Sequence, residues 1–194
     1  MFHTFKSQSL VIAIGVVILA TATACTTSGD ELGDAGSSMS RVRLYDSIEE
    51  LAADSALIVV GTVESQLVTA DIDPITDFTL STLQVMAVVS GDRSFEGQAV
   101  TVRQVGFKEE SASPEILDKG EIYLLYLTPS GLDGELAEQY YVTGANAGIY
   151  ISVGNDKGVM NDERATFVQY SPQEGESLPS EVRLSEAAGS SGER

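Results

Sequence analysis

The run from Glu121 to Thr128 (EIYLLYLT) constrains this chain more than any other stretch. A strand with one wet face alternates apolar and polar residues, whereas a strand buried on both faces is apolar throughout. Ile122 to Leu127 is apolar at every position. Lys119-Gly120 before it and Pro129-Ser130-Gly131 after it are turn chemistry. The fold must therefore supply apolar layers on two sides of one strand.

Further strands surround it. Ala56 to Val68 carries Leu57, Val59, Val63 and Leu67 at period two, with Gly61 as a bend or bulge. Phe78 to Val89 is a long strand stopped by Ser90-Gly91-Asp92. Ala99 to Val105 sets Val100 and Val102 on one face, and Gln139 to Val142, Gly148 to Val153 and Thr166 to Tyr170 are shorter strands. Asn155-Asp156-Lys157-Gly158 reads as a hairpin turn. One helix precedes all of this, over Asp46 to Ser55. Ser47 and Glu50 have capping-box spacing, Asp46 and Glu49 offer the same pattern one residue earlier, and Ile48, Leu51 and Ala52 share a face. One helix, about seven strands and no alternating βαβ pattern predict a mostly β fold, a small antiparallel barrel with an N-terminal amphipathic helix.

The domain spans residues 42–170. Thr26 to Ser40 is rich in Gly, Ser, Thr and Asp and is expected to be a flexible tether, with residues 25–41 outside the domain. Such a tether spans roughly 20 Å on average and about 50 Å at most. Residues 171–194 are as polar and are expected to be a disordered tail with at most one short helix around Leu178, Val182 and Leu184.

Cys25 is the single cysteine, so no intramolecular disulfide can form. It follows a short basic start at Lys6, the apolar run Leu10 to Ala20, and small residues. The apolar run has the length of a signal-peptide core and is well short of the roughly 20 residues that span a bilayer. Ala22-Thr23-Ala24-Cys25 resembles a bacterial lipobox, and residues 1–24 resemble a lipoprotein signal peptide. The resemblance implies cleavage before Cys25 and a diacylglycerol on its sulfur. It also implies an extracytoplasmic protein lipid-anchored to the cell membrane. The absence of a twin arginine before the apolar run points to the general secretion route. The alternatives are ordinary cleavage after an A-x-A site, leaving Cys25 a free thiol, and an uncleaved anchor.

A second resemblance covers residues 45–153. The order "YDSIEELAADSALIVVGTV", "STLQVMAVVSGD", "GQAVTVRQVG", "ILDKGEIYLLYLTPSG" and "YYVTGANAGIYIS" is similar to a group of exported bacterial domains without an assigned activity. More distantly it looks like the OB-type barrel of netrin and metalloproteinase-inhibitor modules. Those inhibitors clamp a free N-terminal cysteine on a zinc ion. An acylated Cys25 on a tether does not carry that mechanism over, and fold alone implies no function.

Charge narrows the partners. The precursor holds 11 Lys and Arg against 29 Asp and Glu; removing residues 1–24 takes away Lys6 and no acid, leaving a net charge of −19. Such a surface opposes nucleic acid and anionic lipid headgroups and favours a protein partner with a basic face. The residue inventory narrows the chemistry. The only histidine is His3, inside the signal segment, so the mature chain has no Ser-His-Asp triad, Cys-His nucleophile or His-ligated zinc. Lys108, Lys119 and Lys157 sit in turn-like stretches, Trp is absent, and GANAG at 144–148 lacks the strand-to-helix setting of a phosphate loop.

No catalytic residue and no cofactor is expected. Asp71, Asp73 and Asp77 crowd one hairpin and are the candidate metal ligands; the pattern is not an EF-hand, because Ile75 and Thr76 stand where a ligand and a glycine are required. Asn155, Asp156, Asn161, Asp162 and Glu163 form a second acidic loop. Tyr123 and Tyr126 are expected in the core. Tyr140 and Tyr141 lie on opposite faces of a strand and are the candidate partner-binding residues. The expectation is a tethered, non-catalytic binding module. The alternatives are an inhibitor or regulator of an extracellular enzyme, and a small-molecule or calcium-binding lipoprotein.

Overall fold

In the computed structural model the start of the first described helix is set by Ser47, as the capping-box spacing predicts. Its Oγ accepts from the Glu50 N–H at 3.3 Å, and the Glu50 carboxylate accepts from the Asp46 N–H at 3.2 Å. The first bond satisfies an amide that a helix start would leave orphaned, and the second ties the residue before the cap to the first turn. The helix α1 that follows, Ile48–Ala53, buries Ile48 and Leu51. The structure describes residues 43–107, 116–153, 163–173 and 175–189. The expected signal segment, Cys25, the expected tether up to residue 42, the expected turn at 155–158, Asn161 and Asp162 lie outside the described residues.

Among the described residues eight strands follow: β1 Leu57–Thr69, β2 Phe78–Ser90, β3 Ala99–Val105, β4 Ile122–Pro129, β5 Tyr140–Val142, β6 Ile149–Ser152, β7 Thr166–Gln169 and β8 Glu181–Arg183. The order β1-β2-β3-β5-β4, closed by pairing of β1 with β4, makes a five-stranded barrel. All pairings are antiparallel except β3 with β5, which run parallel at Val102↔Tyr140 and Arg103↔Tyr141. This is an OB-like architecture. The β6-β7-β8 meander continues the sheet outward from β4.

Closure depends on β1, which pairs with β4 over Leu57 to Thr62 and with β2 from Ile58 to Thr69. Register breaks at Ile58/Val59, Val60/Gly61 and Val63/Ser65 bend it. Gly61 is required at the second break. A Cβ there would stand 2.6 Å from the Gln84 carbonyl oxygen and 2.8 Å from Leu83 Cγ.

The unbroken apolar run of β4 now has its explanation. Tyr123, Leu125 and Leu127 point into the barrel with Val59, Leu83 and Val102. Ile122, Leu124 and Tyr126 point outward into a second core made with α1, Tyr150, Phe167 and Val182. Each face of β4 belongs to a different core.

The second core corrects the expected domain end. The described residues beyond Tyr170, through Gly189, are not a fraying tail: Val182 and Ala187 are buried in the second core, with Leu178 at its edge. β8 pairs with β7, and the Leu184 N–H donates to the Ala165 carbonyl at 2.9 Å. Two buried tyrosines hold the segment, the Tyr126 hydroxyl donating to the Ala187 carbonyl at 2.8 Å and the Tyr150 hydroxyl to the Pro179 carbonyl at 3.2 Å. A buried hydroxyl needs a partner. The polar composition hid the segment because Leu178, Val182 and Leu184 show only a weak period.

Candidate functional site

The site begins where two strands outrun the barrel. β1 leaves β4 after Thr62, yet its pairing with β2 continues to Thr69↔Phe78. The resulting arm ends in a loop of residues 70–77 and carries exposed apolar side chains. Leu67 is 62% exposed, Val68 50%, Ile72 41% and Ile75 92%. Isolated exposed apolar residues are ordinary, but four within positions 67–75 of one arm make it a candidate contact surface.

Two aspartates shape that tip. Asp73 Oδ1 accepts from the Ile75 N–H at 2.9 Å and the Thr76 N–H at 2.8 Å, a local turn that places Ile75 at the apex. These donors hold the Asp73 carboxyl below its ordinary range. Asp71 folds back onto β3 and takes both ends of the Arg103 guanidinium, at 2.7 and 2.6 Å. Arg103 is fully buried; its Nε donates to Gln139 Oε1 at 2.7 Å and its Cζ sits 4.9 Å from the Phe78 ring centroid. The Arg103 hydrogen bonds, opposed in part by desolvation, hold the Asp71 carboxyl below its ordinary range. At the base, the Gly106 N–H donates to the Asp77 carbonyl at 2.7 Å.

This geometry sets the three candidate metal ligands apart. The Asp71 carboxylate is engaged by Arg103 and that of Asp73 by backbone amides, and with Asp77 they do not converge. Among the described residues no group of three or more His, Cys, Asp or Glu side chains is placed to hold a metal ion.

The candidate tyrosines are half-buried and face different places. Tyr140 meets Phe95 edge-on, with ring centroids 6.1 Å apart at 89°. It floors a cleft of about 410 Å³ that also touches Thr101, Glu135, Glu138 and Gln139. Burial, and after it the charge of Asp92, pushes the Tyr140 phenol up. Tyr141 lines a small apolar pocket of about 70 Å³ beside Arg103 and Asn146. Tyr123 and Tyr126 are fully buried, as expected, and burial raises both phenols strongly. A further cleft of about 480 Å³ lies between the start of α1 and the C-terminal segment, among Asp46, Glu49, Glu181 and Glu186.

Arg103 and Phe95 were not among the residues picked out by composition or spacing. A signal for Arg103 existed: it is the only Lys or Arg within the seven strands legible in the sequence. A cation inside a strand is either solvated or paired, and its partner lies 32 positions away, beyond the reach of any local pattern. No protein-family model matches this chain, and comparison with curated proteins finds no match.

Proposed function

We propose that this protein is a membrane-anchored extracytoplasmic lipoprotein, exported by the general secretion route. In this reading it acts as a non-catalytic binding module, held to the membrane by lipid on Cys25. The tip of the β1–β2 arm is its recognition element. One observation carries the reading: the loop that presents Ile72 and Ile75 to solvent is itself clasped to the barrel by the buried Arg103. A loop held in one conformation loses little further entropy on binding, so its apolar tip can be used for contact. Acids flank the tip at Asp71, Asp73 and Asp77, and the mature chain carries net −19. The complementary partner is a protein with an apolar hollow rimmed by basic groups. Loops between the first two strands of OB-like barrels are common contact elements.

The test uses the full chain in its own membrane. A photo-crosslinking side chain at position 75 captures a protein; excess unlabelled wild-type chain competes for it, excess Ile75→Asp does not, and salt raised before irradiation lowers the yield. The Ile75 side chain is almost wholly exposed, so this variant keeps the fold. Competition by Ile75→Asp equal to that by wild type, or capture equalled by a crosslinker at exposed Lys119, overturns the reading. Cys25→Ala tests the anchor separately: the protein should leave the detergent-soluble membrane fraction, and unchanged partitioning refutes lipidation.

A further inference from the structure

A second site lies about 17 Å along β3 from the arm, taking 3.4 Å per residue from Val105 to Val100. β3 is not fully paired. Ala99, Val100 and Thr101 join Gln84, Leu83 and Thr82 of β2 on one side. On the other side β5 reaches β3 only at Val102 and Arg103. Upstream of Tyr140 the chain turns away as the 3-10 helix Gly134–Glu138 instead of continuing along β3. Among the described residues no strand covers the edge at 99–101. The 410 Å³ cleft opens there, floored by the Phe95–Tyr140 pair and rimmed by Glu135 and Glu138.

Three features of this cleft belong together. An uncovered strand edge offers backbone donors and acceptors to an incoming extended segment. Aromatic faces attract a cation through their quadrupole. The rim glutamates are exposed, and no Lys or Arg lines the cleft. Asp92 adds to the negative field at the Tyr140 phenol. A phosphate-bearing ligand meets repulsion on every side, whereas a Lys or Arg side chain meets complementary charge and a ring.

We propose that the β3 edge and its cleft bind an extended segment of a partner protein, which adds as a strand along Ala99–Thr101 and places one Lys or Arg side chain between Tyr140 and the glutamates of the 3-10 helix. The incoming backbone supplies affinity through main-chain hydrogen bonds, and the cleft selects the residue that enters it. The site is separate from the arm tip and does not depend on it.

The experiment measures fluorescence anisotropy of labelled peptides with the full-length protein in detergent. The probes are a peptide alternating Thr and Val with one central Lys, its Glu-for-Lys twin, and a twin whose backbone is N-methylated along one edge. The Lys peptide binds at least about tenfold more tightly than the Glu twin, and added salt narrows the gap. N-methylation abolishes binding. Glu135→Gln with Glu138→Gln, both at exposed positions, weakens the Lys peptide several-fold without changing the melting temperature. Tyr140→Ala weakens it further, and Tyr140→Phe restores it, because the ring rather than the hydroxyl meets the cation. Ile75→Asp leaves it unchanged. Equal binding of the Lys and Glu peptides, or no binding of either, overturns the proposal. So does butylamine binding as tightly as the peptide, which assigns the cleft to small amines. A concentration-dependent dimer abolished by the double glutamine variant assigns the edge to a second copy and overturns it as well.

Discussion

Asp71→Ala should loosen the arm and destabilise the whole domain. Arg103 is 0% exposed, and the substitution strips both carboxylate oxygens from its guanidinium. Breaking a buried ion pair from one side costs about 3–5 kcal/mol, because the remaining charge stays buried without its counterpart. Two circumstances reduce that here. The Asp71 side chain keeps 28% of its exposure, so water can enter part of the vacated place. The Nε–Gln139 bond and the Phe78 ring remain. The expected loss is therefore about 2–3 kcal/mol, or roughly 6–12 °C in melting temperature for a domain of this size.

Arg103→Met removes the charge and keeps an unbranched apolar stem, so it should cost less, about 0–1.5 kcal/mol. In the Arg103→Met background Asp71→Ala should cost almost nothing. Urea unfolding of the four proteins closes the cycle, with an expected coupling of about 2 kcal/mol. Acid titration gives an independent check. Arg103 depresses the folded-state pKa of Asp71, so the contribution is present above the unfolded value of about 4 and is lost as pH falls through the folded one. The stability gap between wild type and Asp71→Ala should therefore be constant near neutrality and close in acid below about pH 4. Additive single-variant effects, or a gap that widens in acid, would refute the clasp.

Other outcomes follow from the two cores and the loop. A protein ending at Tyr170 loses Val182, Leu178 and the Ala187 carbonyl that receives Tyr126. The cost is about 4–7 kcal/mol, comparable to a typical total stability, so it should aggregate or melt without cooperativity in circular dichroism while a protein ending at Gly189 folds. Gly61→Ala drives a Cβ into the Gln84 carbonyl and should cost about 1–3 kcal/mol by urea titration; a neutral result places the bulge wrongly. Tyr126→Phe leaves the Ala187 carbonyl without its donor and should cost about 1 kcal/mol while leaving α1 intact. Millimolar calcium should leave the melting temperature within about one degree, since Asp71 and Asp73 are already engaged; a rise of several degrees would restore the loop as a cation site.

Much of the architecture was legible locally. Alternation at period two marks β1 to β3, and continuous apolarity marks β4 as a strand with two dry faces. Ser47 and Glu50 announce α1, and Gly61 announces the bend. These signals survive in sequence because they rest on backbone geometry within a few residues. The candidate site was legible only in part. Tyr140 and Tyr141 stand on opposite faces as alternation requires, but that Tyr140 meets Phe95 over an uncovered edge depends on where β5 stops following β3. Asp71 looked like one of three equivalent acids until the fold set a buried Arg103 against it. The C-terminal segment looked structureless because its ordering comes from Tyr126, 61 positions earlier, and not from its own pattern. What the chain alone determined is the set of elements and the faces they bury. Which distant partner each polar group finds was decided by the closure of the barrel, because only there do residues remote in sequence become neighbours out of water.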